Sequence, residues 1–182
     1  MKTLNELRKE VGQWSRDNFG SQESKARPGL HLESLAPLMG IVEELGELEE
    51  AWQNYVEFDD AKDAIGDILI YLCDYMYREI DCYFPPLRYI DNSDVNYSSL
   101  SQIHICLGKL FHCTLKYHQG IRGIDNFDSY AIERDRCILE LLRYLHKFTV
   151  DQFAGETLTK IINDTWENVV SKRDWKKDSV NG

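Results

Sequence analysis

The chain has 182 residues, 43% of them hydrophobic and 12% aromatic, which is enough to build one folded domain or a domain made of two similar halves. Its formal net charge of −10, from 21 basic and 31 acidic residues, opposes binding to a nucleic-acid polymer. It does not oppose a nucleotide, because Mg²⁺ bridges carboxylates and phosphates. No run of about 18 apolar residues and no apolar signal region occurs, and the five cysteines include no C-x-x-C pair. Reduced thiols, a cytoplasmic location and no membrane span are the expectations.

Residues 3–19 space their apolar groups as a helix does, at Leu4, Leu7, Val11 and Trp14. Gly20–Gly29 reads as a loop. A second helix is expected from about Leu32 to Val56, with Leu35, Leu38, Val42, Leu45, Leu48 and Trp52 as its apolar stripe. Pro37 suits it if it falls in the first turn. A short connection leads to a third helix, about Asp60–Ile80, so the two helices should be antiparallel neighbours. After a long connection at 82–99, a fourth helix covers Leu100–His118 and a fifth covers Ser129–Val150, with a loop at Gln119–Asp128 between them. A last helix runs from near Glu156 to Asp174. The fold class is therefore all-α, a bundle of five or six helices. Residues 1–176 read as one domain and 177–182 as a polar tail. Leu45-Gly-Glu-Leu48 resembles Leu107-Gly-Lys-Leu110, and Asp67–Leu72 resembles Glu140–Leu145, which points to two similar helical-pair halves.

The chemistry-bearing residues are acidic. Glu43-Glu44-Leu-Gly-Glu47 is followed by Asp63-Ala-Ile-Gly-Asp67. On a helix Glu44 and Glu47 lie within roughly 60° of each other. Asp63 and Asp67, four apart, also share a face. Like charges at such spacing destabilise each other unless a cation sits between them, and a divalent ion with oxygen ligands meets that need. A solvated acidic face is the plain alternative. Against it stands Asp67, inside the apolar run Ala64–Cys73, where an unpartnered carboxylate is costly. Gly46 and Gly66, each costing about 1 kcal/mol in a helix interior, imply a close helix approach or a ligand.

These residues resemble the MazG-like, all-α nucleoside triphosphate pyrophosphohydrolases, a family that includes helical dUTPases and dCTPases. Its signature is E-E-x-x-E followed on the next helix by E-x-x-D. The first half falls on Glu43, Glu44 and Glu47, and the final Asp on Asp67. The Glu of the second half falls on Ala64, with Asp63, one residue earlier, as its substitute. Trp166–Trp175 and the Leu115–Gly123 run also look like segments of phage and bacterial members. The resemblance implies Mg²⁺, with Mn²⁺ able to replace it, held by Glu44, Glu47, Asp63 and Asp67. It assigns catalysis to Glu43, Glu44 and Glu47, with Glu43 as a ligand or as the group that orients water. Water then attacks the α-phosphorus of a nucleoside triphosphate, releasing monophosphate and pyrophosphate. Ala64→Glu, which restores the familiar ligand, is expected to be harmless. Single-repeat relatives assemble as dimers or tetramers, so a homo-oligomer, a dimer foremost, is expected.

Lys109, His112 and Lys116 share a helix face, and Lys172 and Arg173 follow in the last helix. Lys109, Lys116, Lys172 and Arg173 are candidates to hold the phosphates, or are simply solvated. Trp14 either stacks a base or belongs to the core. No P-loop or G-x-G-x-x-G is present, so triphosphate chemistry would rest on metal. The competing reading is a non-catalytic helical nucleotide-binding or oligomerisation protein, favoured by Ala64.

Overall fold

The computed structural model describes residues 1–20, 34–53, 58–79, 99–119, 129–168 and 170–173. These form six helices and, among the described residues, no strand: α1 Leu4–Phe19, α2 Leu35–Gln53, α3 Phe58–Glu79, α4 Leu100–His118, α5 Ser129–Gln152 and α6 Leu158–Asn168. The molecule is an all-α protein whose helices pack on one another, as the apolar spacing predicts. The last helix is shorter than expected. It gives way to a 3-10 turn at Val170–Lys172. The 177–182 tail, and the loops expected around 21–29, 82–98 and 120–128, lie outside the described residues. Among the described residues no helix is long and apolar enough to cross a membrane.

Local signals fix the helix ends. Thr3 caps α1: its side chain accepts from the Glu6 backbone N–H, while Glu6 Oε2 accepts from the Thr3 N–H at 2.7 Å. This reciprocal box satisfies two orphan donors of the first turn. Gly20 ends the helix at φ 64°, where a residue with a Cβ is disfavoured. Pro37 sits at the third residue of α2, where its missing N–H is not needed. Ser99 caps α4 by accepting from the Gln102 N–H.

The helices group into two compact units, finer than the one domain read from the sequence. The first unit takes Met1–Leu87 and Leu158–Gly182 and holds α1, α2, α3 and α6. Helix α3 is its central element, packing on all three others. Its core is Leu7 and Val11 of α1, Leu38, Ile41, Leu45 and Leu48 of α2, and Ile65, Ile68, Leu69, Leu72 and Met76 of α3. Leu158 and Ile162 of α6 complete it. Each such side chain contributes about 1.5–3 kcal/mol of burial. At the crossing of α3 and α6 a Cβ on Gly66 would lie 2.0 Å from Thr165 Oγ1, so glycine here is what lets the two helices approach. Gly46 is different: nothing lies within 4 Å of its Cβ position, and the close approach expected there does not occur.

The second unit, Arg88–Thr157, holds α4 and α5 packed against each other. Its core is Ile103, Leu107, Leu110, Ile138, Leu141, Leu142 and Leu145. The four cysteines among the described residues, Cys73, Cys106, Cys113 and Cys137, are buried free thiols.

Candidate functional site

Two facing helices carry the acids, Glu43, Glu44 and Glu47 on α2, Asp63 and Asp67 on α3. From residue 64 to 76 every position of α3 is buried except Asp67 and Tyr71, which are half-buried, and Asp63 just before them is exposed. A spacing of four places Asp63, Asp67 and Tyr71 on one stripe, and Asp74 and Arg78 continue it. The helix is therefore buried all round except along a single polar seam. On α2, Glu44 is half-buried, while Glu43 and Glu47 are exposed.

The seam is electrostatically strained. Burial pushes the Glu44 carboxyl up to about 7, and the charges of Asp67, Glu47, Glu43 and Asp63 add to the rise. Burial and the charge of Asp63 push Asp67 up to about 6, with Glu47 adding and Arg173 opposing. Glu44 thus feels Asp67 and Asp63 across the hairpin, and Asp67 feels Glu47. Tyr71 belongs to the same cluster: burial raises its phenol, followed by Glu44, Glu43 and Asp67. Its ring rests on the α2 backbone at Gly40, where an added Cβ would stand 2.6 Å from the ring. Further along the seam, Asp74 is buried and accepts from Ser15 Oγ at 2.7 Å and from Arg78 Nε at 2.8 Å. Arg78 also donates to Ser15 Oγ at 2.9 Å, closing a three-membered network between α1 and α3.

The donor set suits a hard cation, since all five candidate ligands offer carboxylate oxygen. Among the described residues no three acidic, imidazole or thiol groups already converge on one point. Like charges hold one another apart, so convergence is not expected of the acids alone. Ala64 is only 3% exposed, whereas Asp63 is on the seam. A glutamate at position 64 would have to enter helix packing, whereas a carboxylate at position 63 faces outward on the seam.

The expected cations separate. Lys172 and Arg173 line a concavity of about 760 Å³ together with Trp14, Trp166, Lys9 and the acids Glu10 and Asp17. Arg173 also acts on Asp67 and Tyr71, which ties this concavity to the acids. Lys109 and Lys116 are on α4, in the second unit, and are not among its lining residues. Trp14 is half-buried, edge-on to Phe19 at 5.8 Å and to Trp166 at 6.0 Å, and presents its indole to the concavity. It is both a packing residue and a wall.

Ser15, Gly40, Tyr71, Asp74 and Arg78 join the site without having been singled out from the sequence. The signal for three of them is the 4, 4, 3, 4 spacing of Asp63, Asp67, Tyr71, Asp74 and Arg78 through an otherwise apolar helix. No protein-family model, curated protein or solved structure matches this chain. An all-helical protein with a half-buried carboxylate seam beside a tryptophan-lined concavity of mixed charge is the class that the fold and the site define.

Proposed function

We propose that the chain is a Mg²⁺-dependent nucleoside triphosphate pyrophosphohydrolase. The observation that carries this reading is the placement of two half-buried acids, Glu44 and Asp67, on facing helices, where burial and then neighbouring carboxylates raise both titrations and a divalent cation would relieve that cost. Glu44, Glu47, Asp63 and Asp67 would hold the ion. When bound, it would neutralise triphosphate charge and lower the pKa of a water. Arg173 and Lys172 meet the outer phosphates, and Trp14 bounds the space for the rest of the nucleotide. Glu43 orients the attacking water and takes its proton. The water oxygen bonds to the α-phosphorus, the bond to the bridging oxygen breaks, and pyrophosphate leaves with that oxygen. Mn²⁺ would serve in place of Mg²⁺, since oxygen donors accept both.

The test is pyrophosphate release from a panel of ribo- and deoxyribonucleoside triphosphates, with Mg²⁺ and with EDTA. Metal-dependent release of pyrophosphate and monophosphate is the expected outcome. Release of orthophosphate and a diphosphate, or no turnover on any of them, overturns the reading in favour of a non-catalytic helical binding protein.

A further inference from the structure

We infer that a second, smaller pocket beside the acidic seam holds the base of the nucleotide, and that Asp74 at its edge selects bases bearing an amino group over uracil and thymine. The inference rests on the reading of the chain as a nucleotide hydrolase. The pocket encloses about 230 Å³ between α1, the start of α2 and α3, and its walls include Trp14, Phe19, Ile70 and Tyr71, with Ser15 and Asp74 as polar members. That volume is below the range of whole drug-sized ligands, so it suits one ring system rather than a complete nucleotide. Three of its walls are aromatic, and a base offers a π-face to any of them.

Its position follows from α3. Tyr71 is shared: it belongs to the acidic seam and to the pocket wall. Asp74 lies seven residues beyond Asp67 on the same stripe, about 10 Å along the helix axis. This is the reach of a sugar and its base from a phosphate held at the acids. Trp14 stands at the junction, lining both the pocket and the larger concavity.

The selectivity follows from Asp74. Burial pushes the Asp74 carboxyl up, and the Arg78 guanidinium paired with it opposes that and favours the carboxylate, which only accepts hydrogen bonds, at about four lone-pair positions. Ser15 Oγ occupies one on Oδ2 and Arg78 Nε one on Oδ1, which fixes the group and leaves acceptor positions on both oxygens. Cytosine, adenine and guanine each present an exocyclic amino donor. Uracil and thymine present carbonyl oxygens on both sides of their one ring N–H, and these meet the carboxylate as acceptor against acceptor. A site committed to one hydrogen-bond polarity discriminates through the unmade bond.

The experiment compares kcat/KM for pyrophosphate release from dCTP, dATP, dGTP, dUTP and dTTP with Mg²⁺. The three amino-bearing substrates should exceed the other two by roughly 10- to 100-fold. Asp74→Asn, whose amide offers both donor and acceptor, should bring the ratio close to one while leaving the Mg²⁺ concentration for half-maximal rate unchanged. Wild-type hydrolysis of dUTP or dTTP as fast as dCTP overturns the inference. So does an unchanged ratio in a folded Asp74→Asn variant. Because Asp74 is tied to Arg78, a second measurement avoids both that variant and turnover. Quenching of tryptophan fluorescence by cytidine, adenosine, guanosine, uridine and thymidine is followed in EDTA. Quenching by the first three alone, lost in Trp14→Leu, supports the pocket, and equal quenching by all five refutes it. If no triphosphate is hydrolysed, the proposed function fails while the nucleoside titration still decides the pocket.

Discussion

The α2–α3 hairpin and the α4–α5 hairpin share a set of buried leucine and isoleucine positions and differ in what they do with charge. Leu45 and Leu48 are matched by Leu107 and Leu110, all buried, and exposed Gly46 is matched by exposed Gly108. Ile68, Leu69 and Leu72 are matched by Leu141, Leu142 and Leu145, and half-buried Asp67 and Tyr71 by half-buried Glu140 and Tyr144. Even the pairing across the hairpin corresponds. Glu44 acts on Asp67, and at the matching places Cys106 Sγ donates to Glu140 Oε2 at 3.9 Å. Yet Glu44, Glu47 and Asp63 are replaced by Cys106, Lys109 and Arg136. Arg136 Nε reaches Glu140 Oε1 at 4.0 Å, so the acid that corresponds to Asp67 has a cation of its own. Packing dictates the apolar positions of both hairpins. It leaves the seam positions free, and the first hairpin fills them with acids where the second has a thiol, a lysine and an arginine.

The largest expected effect separates the two hairpins by activity. Asp67→Asn and Glu47→Gln each keep shape but lose the charge a hard cation needs, and turnover should fall by about 100-fold or more. Glu140→Gln, the matching change in the second hairpin, should leave pyrophosphate release within about twofold. Near-wild-type rates in both first-hairpin variants would remove the metal centre from the account.

Next comes the pair at 63 and 64. Aspartate is one methylene shorter than glutamate, so Asp63 would reach the proposed ion less directly than Asp67, through a water if need be. Asp63→Ala should cost less rate than Asp67→Ala, while raising the half-maximal Mg²⁺ concentration by roughly 10-fold. An unchanged Mg²⁺ dependence removes Asp63 from the site. Ala64→Glu should lower stability by about 2 kcal/mol or more, read as a lower melting temperature, because position 64 is packed and its counterpart Cys137 is buried too.

A third difference is written in pH. Glu44 and Asp67 hold protons in the fold at pH values where the unfolded chain has released them. Their contribution favours the fold at low pH and is lost as pH rises from about 4.5, the ordinary glutamate value, through about 7. In EDTA, Glu44→Gln should therefore melt a few degrees, roughly 2–4 °C, above wild type at pH 8, with the gap closing near pH 4.5. Burial and Glu140 push the Cys106 thiol up to about 11, so it stays protonated over this range, and Cys106→Ser should leave the pH slope as it is. A gap that grows toward low pH contradicts the raised titration of Glu44.

The smallest effect is shared. Nothing lies within 4 Å of the Cβ position of Gly46 or of Gly108. Gly46→Ala and Gly108→Ala should each stabilise by about 0.5–1 kcal/mol in thermal unfolding. A loss of stability at either would reveal a neighbour at that face.

The helices were legible because apolar spacing is a local property, and α1 and α4 begin within a residue of where their capping residues put them. The acids were legible because two helix turns place them on one face before any tertiary contact is known. The rest of the seam was not. Tyr71 reads as another apolar residue until Gly40 is seen beneath its ring, and Asp74 as another surface acid until Ser15 and Arg78 close on it. The cations were the least legible. Lys109 and Lys172 look alike in sequence, and only the tertiary grouping puts one beside Trp14 and the other on α4. The early end of α6 at Asn168 reflects a local choice of 3-10 over α geometry that the apolar pattern does not encode.

The first unit is discontinuous: α6 and Arg173 are separated from α3 by the whole of the second unit. During synthesis, the acids of α2 and α3 therefore emerge well before the cation that moderates Asp67. The face of α3 around Gly66 waits uncovered until Thr165 has been made. Closing so long a loop is slow compared with forming a helical hairpin. A ribosome-bound chain stopped after α5 would carry the acidic seam without its guanidinium and without the helix that seals Gly66. The charge pattern of the seam thereby depends on a segment remote from it in sequence, and a truncation placed before Lys172 would strike the seam from there.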